Sequence, residues 1–125
     1  MAANEHLSDY QFSLIPAQER SKYARTRHKV VAETDTGDYV GELEWHSRSD
    51  NRISNLFVEA NHRREGVATG MWNYAHEMAK TTKGVKPPTH SSDRTDEGDA
   101  WAKATGGPVP KRTANTYVTH NWETE

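Results

Sequence analysis

The sequence predicts an α+β fold built in layers, with a mixed, mostly antiparallel central sheet and one central helix packed against it. Three observations predict it. Short stretches of alternating apolar and polar residues fill the first half of the chain, as half-buried strands require. One stripe with helical spacing follows them, beginning at Val67. Between the last strand and that stripe lies Arg63-Arg64-Glu65-Gly66-Val67-Ala68, a turn that combines charge with small residues.

Residues 1–8 are polar and expected to be disordered. Tyr10 to Ile15 alternates and ends at Pro16, which suits a first strand. Ala17 to Thr26 could form a short helix or a basic loop. His28 to Glu33 reads as a second strand, and Asp35-Thr36-Gly37-Asp38 as a hairpin turn. Tyr39 to His46 is its partner, with Tyr39, Gly41, Leu43 and Trp45 on one face and Val40, Glu42, Glu44 and His46 on the other. Ser47 to Asn51 is a polar turn before a strand from Arg52 to Glu59.

The central helix takes its stripe from Val67, Met71, Tyr74, Ala75 and Met78 and is expected to end near Lys83-Gly84 with a glycine cap. Val85 to Ser91 could be a strand, but Pro87 and Pro88 confine it to an edge or a splayed position. Thr95 or Asp96 can cap a second helix that runs through Trp101 to Ala104 and stops at Gly106-Gly107. Residues 108–114 read as a loop and Thr116 to Trp122 as a closing strand. The 125 residues fit a single domain, 1–125, of ordinary size.

Composition narrows the function classes. The hydrophobic fraction is 33% and the mean hydropathy −1.03, so the core is lean and leans on aromatic rings. Sixteen Lys and Arg stand against eighteen Asp and Glu, a balance that disfavours a nucleic-acid binder. A basic run from Arg20 to Lys29 and an acidic one from Asp93 to Asp99 read first as solvated faces. The chain has no Cys, which excludes disulfides, thiolate metal sites and a Cys nucleophile. No metal site is expected. No apolar run reaches spanning length and the N-terminus lacks a signal pattern, so no membrane partner is expected and the expected place is the cytoplasm.

The turn at Arg63 carries the chemistry. Gly66 and Ala68 let the backbone approach a ligand closely. The first-turn N–H groups of the following helix are free to donate to anionic oxygens, and Arg63 and Arg64 add charge. An ordinary strand–turn–helix with a glycine at the bend fits the same residues equally well.

The stretch Leu56-Phe57-Val58, followed by Arg63-Arg64-Glu65-Gly66-Val67-Ala68 at the start of a helix, resembles the acetyl-CoA-binding motif of the GNAT superfamily of N-acetyltransferases. The specific match covers about residues 53 to 80, with compatible element order elsewhere. The resemblance implies an acyl-CoA N-acyltransferase-like fold and acetyl-CoA or coenzyme A as cofactor. It implies that Leu56, Phe57 and Val58 flank the pantetheine arm between splayed strands. The loop of Arg63, Arg64, Glu65, Gly66, Val67, Ala68 and Thr69 would then cradle the pyrophosphate. A backbone N–H near Val58 would meet the thioester carbonyl in an oxyanion-type contact. The implied partner is an amine acceptor, small molecule or protein. The segment from His90 to Lys103 is also similar to small GNAT-like proteins encoded by bacteriophages of actinobacteria, which would place the protein in a host cytoplasm.

Acetyl transfer to an amine needs an uncharged nitrogen, hence a base working near neutrality, often through water. Glu59 at the end of the motif strand, Glu44 on its neighbour and His90 after the splayed segment are candidates, His90 because imidazole titrates near neutrality. The family commonly supplies a tyrosine about four residues before the glycine that ends the second helix, as acid for the thiolate. Counting back from Gly106 gives Ala102, between Trp101 and Lys103, so Tyr117 or His90 would have to serve, or water. This departure keeps open an alternative, a catalytically degenerate GNAT-like module that binds CoA or a protein. Only Pro16 to His28 joins the first two strands, where the family fits two helices that wall the acceptor site. The groove would be open to a bulky acceptor, or completed by a second copy in a homodimer.

Overall fold

The computed structural model describes residues 9–17, 27–47, 50–92, 94–106 and 109–111. Four strands, β1 (Tyr10–Ile15), β2 (Arg27–Thr34), β3 (Tyr39–His46) and β4 (Ile53–Val58), form one antiparallel sheet in the order β1-β2-β3-β4. A 3-10 turn (Ala60–His62) leads to helix α1 (Val67–Thr81), and helix α2 (Asp96–Thr105) follows. The expected loop at 108–114 is described only at 109–111, which carry no regular structure. The fraying expected at 1–8, the helix or basic loop expected over most of 17–26 and the closing strand expected at 116–122, with Tyr117, fall on residues outside the described ones.

The core lies between one face of the sheet and α1. Val30, Ala32, Leu43, Trp45, Leu56 and Val58 from the strands meet Val67, Ala68, Met71 and Ala75 from the helix, all fully buried. The expected stripe is broader in fact: Trp72 joins it, while Tyr74 is only half-buried and packs on Phe12. The helix ends at Thr81 with Thr82 as its cap, Thr82 N–H donating to the Met78 carbonyl at 2.9 Å. Gly84, at φ 85°, instead makes the turn that follows.

Two bulges depart from the expected alternation. On β3, Ala32 pairs with Gly41 and Glu33 with Tyr39, so Val40 is the extra residue. Val40 is therefore buried with Leu43 and Trp45, and Tyr39 turns out to the opposite face, 44% exposed. On β4, Glu44 pairs with Asn55 and Trp45 with Ile53, leaving Ser54 unpaired. Between the bulges Gly41 lets the two strands approach: a Cβ there would sit 2.2 Å from the Phe57 carbonyl oxygen.

The expected strand at Val85 to Ser91 is a splayed segment. It makes one parallel bridge, Arg52 with Thr89, through Ile53 N–H to the Thr89 carbonyl and Thr89 N–H to the Asn51 carbonyl, each at 2.9 Å. Pro87 and Pro88 have no N–H to extend the ladder. Trp45 holds the segment from beneath, its indole N–H donating to the Lys86 carbonyl at 2.9 Å. The sheet is thus antiparallel in its four strands and parallel at this single contact.

The second helix follows the expected signals. Thr95 caps it, its hydroxyl accepting from Gly98 N–H at 3.0 Å, and Gly106 ends it at φ 85°. Arg94, nearly fully buried, anchors its base. The guanidinium donates to Asp99 at 2.9 and 3.0 Å, to the Pro110 carbonyl at 2.9 Å and to the Ser91 carbonyl. No described helix is long and apolar enough to cross a membrane.

Candidate active site

The turn after β4 is held by bonds that run back to the sheet. Glu59 N–H donates to the Val40 carbonyl at 2.7 Å, and His62 N–H to the Glu59 carbonyl at 2.9 Å. The Tyr10 hydroxyl meets His62 Nδ1 at 3.0 Å with the rings edge to face, which ties the turn to β1. Burial, then the charges of Glu65 and Asp9, raise the Tyr10 phenol above its ordinary pKa, so it stays protonated. The Arg63 side chain also serves the turn: its Nε donates to the Val58 carbonyl at 3.1 Å.

Arg64 and Gly66 both take positive φ, 65° and 83°. Glycine adopts this freely, but a side-chain-bearing residue does so at a cost of about 1–2 kcal/mol. Strain of this kind gathers where a backbone has been shaped around a ligand. Gly66 is the N-cap of α1, and no side chain caps the helix there. The Gly66 carbonyl accepts from Gly70 N–H at 2.8 Å, so the N–H groups of the preceding turn precede the helical ladder. No acidic side chain occupies that first turn. These donors, at the positive end of the helix dipole, fit an anionic oxygen group such as pyrophosphate.

The other residues expected to contact the coenzyme divide by burial. Leu56, Val58, Val67 and Ala68 put their side chains into the core and offer only backbone. Thr69 accepts from the Trp101 indole N–H at 3.1 Å, joining α1 to α2. Glu65 and Gly66 are half-buried and Arg64 is exposed at the rim, whereas Phe57 points to the other face of the sheet.

That other face brings two of the candidate bases together. Burial, then the charge and hydrogen bond of Glu42, then the charges of Glu59 and Glu44, push the Tyr39 phenol far above its ordinary range. All three carboxylates therefore act on one phenol. Tyr39 donates to Glu42 Oε1 at 3.0 Å and Asn55 Nδ2 donates to Glu42 Oε2 at 3.1 Å. Lys29 lies 3.7 Å from Glu42 and 3.5 Å from Glu44. Tyr39, Glu42, Asn55 and Phe57 line an open cavity of about 230 Å³. Sequence reasoning missed Tyr39, Asn55 and Glu42 as site residues. Alternation groups Tyr39 with Leu43 and Trp45 because no residue announces the bulge at Val40, while Glu42 stands two residues before Glu44 on the same face.

His90 lies elsewhere. It is 1% exposed, stacked on Trp72 at 4.2 Å and 6° and edge-on to Trp101 at 5.4 Å. Its Nε2 bonds the Gly106 carbonyl at 3.0 Å, and its Nδ1 is buried without a hydrogen-bond partner. Burial lowers its pKa first, opposed by the Gly106 carbonyl and reinforced by Arg94 and His76. His76, against the same Trp72 at 4.5 Å, is lowered by burial and by Lys80. Both imidazoles are neutral at pH 7, held between α1 and α2 rather than beside Glu59 and Glu44. At the place counted for a tyrosine acid, Ala102 and Trp101 are buried, and Lys103 pairs with Asp99 at 3.0 Å. The hydrogen bonds from Lys103 and Arg94 hold the Asp99 carboxyl below its usual range.

Residues 4–96 match the protein family described as "Acetyltransferase (GNAT) domain". Among solved structures, the aminoglycoside antibiotic 6'-N-acetyltransferase AAC(6')-Ih from Acinetobacter baumannii is similar, with a TM-score of 0.53 at 21% identity. The alignment covers 75% of this chain and 71% of that one, and the likeness is one of fold. No characterised protein matches the chain at a significant level of sequence similarity.

Proposed function

From the premise that the chain belongs to the GNAT family of N-acetyltransferases, we propose that it moves an acetyl group from acetyl-CoA to a primary amine by direct transfer. The observation that carries this reading is the uncapped N-terminus of α1, set behind β4 by the positive-φ residues Arg64 and Gly66. Acetyl-CoA, when bound, supplies the activated acetyl group. The backbone N–H groups of Arg64 to Thr69 would hold its pyrophosphate, with the exposed Arg64 side chain adding charge. Arg63 spends its Nε on the Val58 carbonyl, so its first role is to shape the loop. Val58 lies on the edge strand, where its backbone can support an oxyanion-type contact.

The sequence has no Cys to carry the acetyl group as a thioester, which supports direct transfer over a Cys-linked acetyl-enzyme. For the base we propose Glu59 or Glu44, directly or through water, since both face the open side of the sheet near Tyr39. His90 would reach an acceptor only by leaving the Trp72–Trp101 sandwich, so its proposed role is to pack α1 on α2.

Release of free thiol from acetyl-CoA, across alkylamines, peptides and an aminoglycoside, tests the reading. Turnover with at least one amine, and loss of coenzyme affinity in Arg64→Glu, are expected. Absence of both thiol release and stabilisation by acetyl-CoA would overturn it. Stabilisation without release would leave a coenzyme-binding member that has lost transfer.

A further inference from the structure

We infer that the cavity lined by Tyr39, Glu42, Asn55 and Phe57 is a subsite for a second, non-reacting ammonium group, so that the acceptor class is the aliphatic di- and polyamines. The inference rests on the acetyltransferase reading for the fate of the first amine, but the subsite itself rests on geometry.

The Tyr39 and Phe57 rings lie nearly parallel, 15° apart with centroids at 6.4 Å, and both border the cavity. Aromatic faces attract cations through the ring quadrupole. A cross-strand packing pair alone would close on itself and exclude water. Here the bulge at Val40 turns Tyr39 outward and the rings border about 230 Å³ of open space.

Glu42 is fixed at the cavity wall by one donor on each oxygen, Tyr39 and Asn55. An ionised carboxylate has about four acceptor sites, so two remain for an ammonium. Lys29 does not fill them: at 3.7 Å it is a loose ion pair with Glu42. The field favours a cation as well, because Glu42, Glu44 and Glu59 act on the Tyr39 phenol and, among the described residues, Lys29 is the cation paired with that face.

Size and register select the class. The cavity falls below the roughly 300–1,000 Å³ of a site for a drug-sized molecule, so it suits an alkylammonium end. At ~3.3 Å per residue, Glu59 lies roughly 7 Å along the strand from Phe57. An aliphatic linker of roughly four or five carbons spans that distance and carries a second amine to Glu59.

Nuclear magnetic resonance titration of the full chain tests this without turnover. The probes are 1,4-diaminobutane, 1,5-diaminopentane and butylamine at one fixed ionic strength. Signals of Tyr39, Asn55 and Phe57 should move, the diamines should bind roughly tenfold more tightly than butylamine, and Glu42→Gln should erase the difference. A Phe57→Leu variant, matched in apolar character, should weaken the diamines in the same direction. Equal affinity for all three amines, or movement confined to other residues, would overturn the subsite. Thermal stabilisation by acetyl-CoA, measured alongside, separates the two readings. If it persists while the diamines fail, the subsite alone is wrong; if it fails while the diamines bind, the coenzyme assignment is wrong.

Discussion

The two faces of the sheet treat ionisable groups in opposite ways. On the helix side, His90 and His76 pack around Trp72 and are kept neutral by burial. On the outer face, the charges of Glu42, Glu44 and Glu59 act on an exposed phenol beside a cavity. An imidazole titrates near neutrality in water, which makes it attractive as a base on paper. What decides is access: a group that cannot meet the substrate contributes packing, and a carboxylate can act if it lies where the amine arrives. Changes on the helix side should therefore cost stability, and changes on the outer face should cost turnover.

The largest effect expected is on the outer face. Replacing the true base, by Glu59→Gln or Glu44→Gln, should lower kcat by about 10²–10⁴ and shift stability by no more than about 0.5 kcal/mol. Unfolding curves run beside the kinetics check both halves; a rate that neither variant changes would break the comparison. At the base of α2, Arg94→Ala leaves Asp99 with Lys103 alone and takes a donor from two carbonyls, and should cost about 1–3 kcal/mol in urea unfolding. A loss under about 1 kcal/mol would mean the pair is more hydrated than its burial implies.

A third test uses pH. The folded-state pKa of His90 lies below its unfolded value, so the unfolded chain takes up the proton first as pH falls. The stabilising contribution is complete above the unfolded pKa of about 6.5 and is lost as pH drops from there through the folded pKa. His90→Phe should flatten that decline and keep turnover, with His76 supplying the remainder. A folded His90→Phe protein without activity would return His90 to the chemistry. The smallest effect is at the cap of α2, where Thr95→Ala should cost about 1 kcal/mol without touching catalysis.

Elements set by local chemistry were legible in the sequence. The alternation of Tyr10 to Ile15, the Thr95 cap and the stop at Gly106 each depend on a few neighbouring residues, and each appears as expected. The glycine turn at Arg63 to Ala68 was legible for the same reason. The bulges at Val40 and Ser54 were not, since an extra residue in one strand is defined only against its partner. The extra residue Val40 takes Tyr39 off the face of Leu43 and Trp45 and onto the cavity. The burial of His90 was hidden too: it depends on Trp72 and Trp101 converging from two helices, 18 and 11 residues away in sequence. Prolines 87 and 88 announced a weak strand, and the structure weakens it further, to a single bridge.

The central claim is that the N-terminus of α1 holds the pyrophosphate of the coenzyme. Calorimetric titration with acetyl-CoA and with S-acetylpantetheine, which lacks the phosphates, tests it most directly. The account predicts that acetyl-CoA binds roughly a hundredfold more tightly, the worth of one or two charge-assisted bonds, and that Arg64→Glu narrows the gap. Equal affinity for the two ligands would contradict it.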